Sequence, residues 1–348
     1  MNFNSDNVYG VHPKIMDAIV AANARLTDVS YSHDDGTKEA EAALSKVFEK
    51  DVKVFFVLNG TGANSLALSA LCPPYGGIIC HEGSHINTDE CTCPELFTGG
   101  AKLLSVSGEH SKITQKAAKE KLAQFVHGEH GAKPSALSIS QATELGTVYK
   151  VAEIASLTNL AHDSGLKCHM DGARFANALV YLGCTPAEMT WKAGIDVLSF
   201  GGTKNGAMIL EAVLFFDAKL AEDFLYRRKR AAQHLSKGRY LSAQMLAYLN
   251  DRLWLENAGR ANVLAAEVGA TCEAARVMRL AAPVEANEVF PIMPRHLSAA
   301  LRKEGVSFYE WPLDGLGADE VCARLVLTFA TPQDDVAKFI GLVKRLGN

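Results

Sequence analysis

Between residues 52 and 216 the chain repeats one arrangement: a short apolar run, then a longer stretch whose apolar residues recur at three- and four-residue spacing. The runs are VKVFFVL (52–58), GGIIC (76–80), AKLLSVS (101–107), PSALSIS (134–140), LKCHMD (166–171), DVLSF (196–200) and AVLFF (212–216). Between them lie GANSLALSALC (62–72), SKITQKAAKEKLAQFV (111–126), KVAEIASLTNLAHDSG (150–165) and TPAEMTWKAG (185–194). Runs this short read as strands buried on both faces, and the periodic segments as helices with one buried stripe. Their alternation predicts an α/β fold: a mostly parallel seven-stranded sheet with helices on both faces. From about 240 long helical stretches take over, followed by NEVFPIMP (287–294) and ARLVLTF (323–329) on either side of SAALRKEGVSFYEWP (298–312). That change predicts a smaller C-terminal α+β domain.

Length agrees, since 348 residues suit one large domain and one small one at roughly 100–200 residues each. A net charge of -4 with 21% charged residues offers no basic surface for nucleic acid or an anionic membrane, so a small-molecule partner is expected. No run reaches the ~18 apolar residues of a membrane span, and MNFNSDNVYGVHP (1–13) lacks the basic and apolar parts of a secretory signal. Eight cysteines, several inside apolar runs, read as buried free thiols of a reducing compartment; the expected location is cytoplasmic.

His81-Glu82-Gly83-Ser84-His85 matches the zinc-protease pattern H-E-x-x-H. That chemistry needs both histidines on one continuous helix, but this stretch begins at the end of a strand and carries Gly83-Ser84, poor helix formers, in its middle. No third ligand follows at a recognisable spacing, and Cys91-Thr92-Cys93 is one residue short of C-x-x-C. No metal is expected. The loop nonetheless falls at the edge where open α/β sheets bind ligands.

Two further groups fall at that edge. Lys204 follows the sixth run in SFGGTKNGAM, where it reads either as a solvated turn lysine or as a chemical one; the phosphate-loop spacing is absent. Asp171 ends the fifth run in HMDGARFANA and reads either as a helix cap or as a functional carboxylate. Together they match the two protein groups that pyridoxal phosphate chemistry needs, a Schiff-base lysine and an acid for the pyridinium nitrogen. Gly60-Thr61-Gly62 opens a helix after the first run, where backbone N–H groups can approach an anion.

The motifs NSD (4–6), DDGT (34–37), NGTGAN (59–64), HMDGAR (169–174), SFGGTKNG (199–206) and ARLVLTF (323–329), in this order, resemble the low-specificity L-threonine aldolases, within the aromatic amino-acid beta-eliminating lyase group, and especially bacterial threonine or phenylserine aldolases. The resemblance spans nearly the whole chain. It implies the aspartate-aminotransferase-like fold type I, with a large domain at 13–240 and a small one from 1–12 and 241–348. It also implies pyridoxal 5'-phosphate and a homodimer or homotetramer with shared active sites. The activity implied is cleavage of L-threonine, L-allo-threonine or a related β-hydroxy-α-amino acid to glycine and an aldehyde; another pyridoxal phosphate-dependent β-eliminating lyase is the alternative, and a zinc hydrolase using HEGSH a more distant one.

Residue by residue, the resemblance implies that Lys204 holds the cofactor, Asp171 keeps its ring nitrogen protonated, and His85 stacks on the ring. Gly60, Thr61 and Gly62 would receive the phosphate. Ser5, Arg174 and Arg324 would hold the substrate carboxylate, Arg174 also lying against the cofactor; the other reading of Arg324 is an edge-strand surface arginine. Lys237 and Arg239 fall in RRKRAAQHLSKGRYLSAQ (227–244), a segment resembling one that reaches a neighbouring subunit's phosphate, although a basic helical run is also an ordinary solvated face. Two departures stand out. Ser32-His33 occupies the place of the family's tyrosine-glycine, with Tyr31 one position earlier, and Glu144 in QATELGTVY stands where many members carry a histidine. Glu144 and His85 are therefore both candidates to move the β-hydroxyl proton.

Overall fold

The computed structural model describes residues 1–347. All seven apolar runs form strands: β1 Lys53–Val57, β2 Gly76–His81, β3 Lys102–Val106, β4 Lys133–Ser140, β5 Lys167–Gly172, β6 Val197–Gly201 and β7 Glu211–Phe215. They pair in the order β1-β7-β6-β5-β4-β2-β3. The four pairings from β3 to β6 are parallel, and β7 is antiparallel to both β6 and β1. β2, β6 and β7 are buried along their whole length, which is why their sequences show no polar alternation.

Neighbouring residues of one strand serve opposite faces. Ile79, Leu137, Leu198 and Leu214 enter one core, and Ile78, Ala136, Val197 and Val213 enter the other, as the two-residue period of a strand requires. The second core is closed by the helix Gly60–Leu71, of which nine residues are buried. Small and apolar residues nearly all round let this helix be covered on most sides, with Asn64, Ser65 and Ser69 as its buried polar positions. The edge strands β1 and β3 begin with exposed Lys53 and Lys102, charges that discourage further strand pairing.

Five short strands make the smaller sheet: β8 Arg279–Leu280, β9 Glu288–Val289, β10 Pro291–Pro294, β11 Tyr309–Trp311 and β12 Glu320–Val326. Their pairings are antiparallel, in the order β11-β12-β10-β8 with β9 beside β12. Both runs expected there are present; β8 and β11, of two and three residues, are too short to carry a period. The N-terminal segment joins this unit, with Phe3 in its core and Val326 N–H donating to the Phe3 carbonyl at 2.9 Å. Along the helix Leu253–Ala274 the side chains change core between Ala258 and Leu264. The expected boundary at 240/241 falls on the large-core side of that change, because Leu241, Met245, Tyr248 and Trp254 still pack with the large sheet.

Candidate active site

Five strand ends meet at the carboxyl edge of the parallel strands, and a cavity of about 190 Å³ opens there, lined among others by Gly60, Thr61, His85, Asp171 and Lys204. Each side chain arrives on a pinned support. After β6 the chain makes a short 3-10 turn, Thr203–Asn205. Asn205 donates to Tyr248 Oη and to the Trp254 carbonyl, both at 2.8 Å, while Asn257 donates to the Asn205 carbonyl at 3.0 Å. Lys204 therefore projects from a turn anchored in the core.

After β1, Asn59 caps the helix Gly60–Leu71 by accepting the Gly62 N–H at 2.7 Å. The Gly60 and Thr61 N–H groups precede the first intrahelical bond and point outward. A methyl on Gly60 would meet nothing within 4 Å, whereas one on Gly62 would come within 2.6 Å of Gln233 Cδ. A side chain at Gly62 would have to displace the Gln233 amide, whose Oε1 accepts the Leu58 N–H, and Gly60 leaves the helix terminus open for an anion.

Asp171 is buried at the end of β5, accepting the Ala173 N–H at 2.9 Å and Asn64 Nδ2–H at 2.8 Å. Burial works against its charge, but His85, the Ala173 N–H and Lys204 outweigh it, so the carboxyl stays below its ordinary range. Asn64 also donates to Glu90 Oε1 at 2.8 Å, and the same oxygen holds His85 Nδ1 at 2.8 Å. The Glu90 hydrogen bond, against the cost of burial, raises the affinity of His85 for its proton. Fixing Nδ1 leaves Nε2 of His85 as the nitrogen free to act.

Glu144 reaches the same loop. Its Oε1 accepts the His85 N–H at 2.8 Å and the Ser140 hydroxyl at 2.7 Å, while Oε2 is buried without a partner. Burial pushes its carboxyl up to about 7, and Glu211, which lines the cavity from the start of β7, is pushed by burial to the same value. Asn64, Glu90, Glu211 and Ser199, another lining residue, were invisible as a set in the sequence. The one available signal was Asn64, a polar residue in a helix of small and apolar ones.

The arginines form a second cluster. Arg174 Nη2 lies 2.6 Å from Asp6 Oδ2 and 3.1 Å from Glu288 Oε1, both acids being buried. Arg324, on β12, donates to the Asn4 carbonyl at 3.1 Å and lies 4.9 Å from the Trp311 ring centre. Both arginines keep a buried Nε–H without a partner. Ser5 caps the turn Asp6–Val8, and the next residue but one, Asn7, lines the cavity. Lys237 is exposed, and Arg239 donates to the Arg25 carbonyl at 3.3 Å; neither lines the cavity of its own chain. His81 and His85 do not share a helix. His81 ends β2 with Nε2 3.0 Å from the Gly108 carbonyl and Nδ1 accepting the Gly83 N–H, and His85 starts the separate short helix His85–Thr88.

Residues 2–295 match the model of the beta-eliminating lyase family. The chain belongs to that family. Within it, the protein from Pseudomonas sp. (strain NCIMB 10558) called low specificity L-threonine aldolase is 46% identical over 321 residues, 92% of each chain. Its Pseudomonas aeruginosa counterpart of the same name is 44% identical, again over 92% of each chain. A solved threonine aldolase from Leishmania major superimposes with a TM-score of 0.93 at 28% identity, covering 100% of this chain and 99% of that one. The fold of this chain is the aspartate-aminotransferase-like fold type I, as the resemblance implied.

Proposed function

We propose that the protein is a pyridoxal phosphate-dependent aldehyde-lyase that cleaves L-threonine, L-allo-threonine or a related β-hydroxy-α-amino acid to glycine and an aldehyde. The observation that carries the reading is the convergence of Lys204, Asp171 and His85 on one cavity beside an open helix N-terminus. The donor set fits the cofactor: a lysine for its aldehyde, a buried carboxylate held ionised for its ring nitrogen, and the Gly60 and Thr61 N–H groups for its phosphate. When bound, pyridoxal phosphate supplies the electron sink for the pair left at Cα as the Cα–Cβ bond breaks.

The chain's own residues do the rest. Arg174 and Arg324 hold the substrate carboxylate, with Ser5 beside them; their Nε–H groups are buried, so the contact falls to the outer nitrogens of the planar guanidinium, which suits a carboxylate. Asp6 and Glu288 hold Arg174 in place from the other side. Fixing the carboxylate sets the rotation of the substrate and so selects the bond that breaks. Glu144 stands behind the cavity wall with Oε2 buried, so the β-hydroxyl proton reaches its carboxylate, pushed up to about 7, by way of His85 or a water held on that loop. His85, fixed by Glu90, packs against the cofactor ring.

The proposal extends to a cytoplasmic homodimer or homotetramer in which Lys237 and Arg239 serve a neighbouring copy. Support comes from an apolar groove that shares Leu58 and Asn59 with the cavity and exposes Val20, Met208 and Ile209. No helix among the described residues is long and apolar enough to cross a membrane, and the eight cysteines are free.

The test is chemical. Protein with pyridoxal phosphate should be yellow and bleach with hydroxylamine, and L-threonine should give glycine and acetaldehyde in equal amounts. Formation of 2-oxobutanoate instead points to a β-eliminating enzyme. Cleavage that needs a metal and no pyridoxal phosphate would overturn the reading.

A further inference from the structure

A buried histidine that the mechanism above does not use lies one step below Asp171. His169, on β5, is completely buried and bridges two serines on the flanking strands: Nδ1 is 2.9 Å from Ser138 Oγ on β4, and Nε2 is 2.9 Å from Ser199 Oγ on β6. The register sets Ser138 opposite His169 and Ser199 opposite Asp171. Ser199 lines the cavity; Ser138 does not.

The direction of this chain follows from what each hydroxyl can reach. Among the described residues neither serine Oγ has another hydrogen-bond partner. The Ser138 hydroxyl, in the core, must donate to His169 Nδ1, because otherwise its proton is buried with no acceptor. Nδ1 is then the acceptor nitrogen, and a neutral imidazole carries its single proton on Nε2. Nε2–H donates to Ser199 Oγ, which leaves the Ser199 proton directed away from the protein core. In the opposite arrangement Ser199 would donate inward and the Ser138 proton would be stranded. Burial pushes the imidazole down to about 4, against the pull of Asp171, so the ring stays neutral and the direction does not reverse near neutral pH.

We infer that the Ser138–His169–Ser199 chain presents the Ser199 hydroxyl as a hydrogen-bond donor into the cavity, making Ser199 a contact for pyridoxal phosphate and His169 its positioning residue. This rests on the pyridoxal phosphate reading of the same cavity. Ser199 sits level with Asp171 on the adjacent strand, so its proton is available to an acceptor on the edge of the bound ring, or to the Asp171 carboxylate beneath it. Donation to the ring edge holds the cofactor directly, donation to Asp171 stabilises the charge that it carries, and either couples the colour of the bound cofactor to a serine.

Two measurements test it. Nitrogen NMR of histidine-labelled full-length protein, with and without pyridoxal phosphate and with the His169 signals assigned by their loss in His169→Asn, should show His169 as a neutral, pH-insensitive imidazole with its proton on Nε2; an Nδ1–H form of His169 overturns the inference. Titration of the visible absorption with pH should show a displaced midpoint in Ser199→Ala, with pyridoxal phosphate held ~10-fold more weakly, the scale of one lost hydrogen bond. Ser199→Thr keeps the hydroxyl and should restore both, whereas a role in packing alone predicts that the added methyl makes Thr worse than Ala. Wild-type protein that takes up no pyridoxal phosphate overturns the cofactor reading beneath this one. Wild-type protein that does take it up, beside a Ser199→Ala variant with the same affinity and midpoint, overturns this inference alone.

Discussion

β5 and β6 carry charged groups at both ends, and the two ends differ in how completely those groups are satisfied. At the amino edge Asp196 Oδ2 takes the Cys168 N–H and faces His162 Nε2, both at 2.8 Å, and Oδ1 faces the Lys167 ammonium at 3.4 Å. His162, Cys168 and Asp196 bring three donor atoms within 4.8 Å of one another, a spacing that suits a metal. Yet each carboxylate oxygen already has a donor, and the lysine supplies the positive charge. At the carboxyl edge Asn64 Oδ1, Glu90 Oε2 and Glu144 Oε2 are buried with no partner. A fold leaves such groups unpaired only at a cost, so spare polar capacity around a cavity, and not the mere presence of ionisable groups, separates the site from the structural cluster.

The sharpest way to break this contrast is at Lys204. Lys204→Ala should abolish the visible absorption given by pyridoxal phosphate and lower turnover by roughly 10⁴-fold or more, the scale seen when a group central to the chemistry is removed. The fold should survive, because Asn205, not Lys204, ties the turn to Tyr248 and Trp254. A yellow, active variant sinks the assignment. Next comes the arginine pair. Replacing Arg324 by Lys keeps the charge but loses the planar fork, and kcat/KM should fall by about 10²- to 10³-fold with the colour retained. Unchanged kinetics would return Arg324 to a structural place against Trp311.

Glu144 makes a smaller and more specific test. As a base it must be ionised, so activity should decline as pH falls below about 7, and Glu144→Gln should lower kcat by about 10²-fold and remove that limb. Stability should respond in the opposite direction. The folded protein binds the Glu144 proton more tightly than the unfolded chain does, so the carboxyl costs nothing below its ordinary 4.5 and destabilises progressively as pH rises through about 7. Glu211 titrates in the same window. Glu144→Gln should therefore flatten part of the loss of thermal stability between about pH 4.5 and 7, not all of it. Wild-type activity and an unchanged pH profile in this variant would leave proton transfer to His85 or a water.

The large sheet was legible because its strands are buried on both faces, so GGIIC and DVLSF announce themselves without polar alternation. Asp171 and Lys204 drew attention in the sequence because one ends such a run and the other follows one within four residues, and the fold brings both to one cavity. Glu90 was not: it sits in a loop five residues beyond His85, and only folding brings it to Nδ1. Ser199 was hidden inside an apolar run, where a serine reads as filler until the register places it beside Asp171. The passage from one core to the other is hidden in the sequence for a different reason, since one continuous helix, Leu253–Ala274, serves both.

The smallest expected effect lies at the amino edge, and it sharpens the contrast from the other side. Asn at position 196 keeps the size of Asp and one oxygen able to accept the Cys168 N–H, but it removes the charge that faces Lys167 and His162. Those partners are more than a third exposed, at 42% and 38%, and water screens what is lost. Asp196→Asn should therefore cost only ~1 kcal/mol, the worth of one weakened hydrogen bond and a screened ion pair, read as a modest fall in Tm. Pyridoxal phosphate affinity, visible absorption and kcat/KM should stay at wild-type values, and dialysis against a strong chelator should leave activity intact. The physical reason is distance along the strands: Cys168 and Asp171 are separated by the length of β5 that builds the core, and a rigid strand passes little of a surface charge change to its far end. If Asp196→Asn loses the colour, or chelation removes activity, the two edges act together and the division between structural cluster and reactive cavity fails.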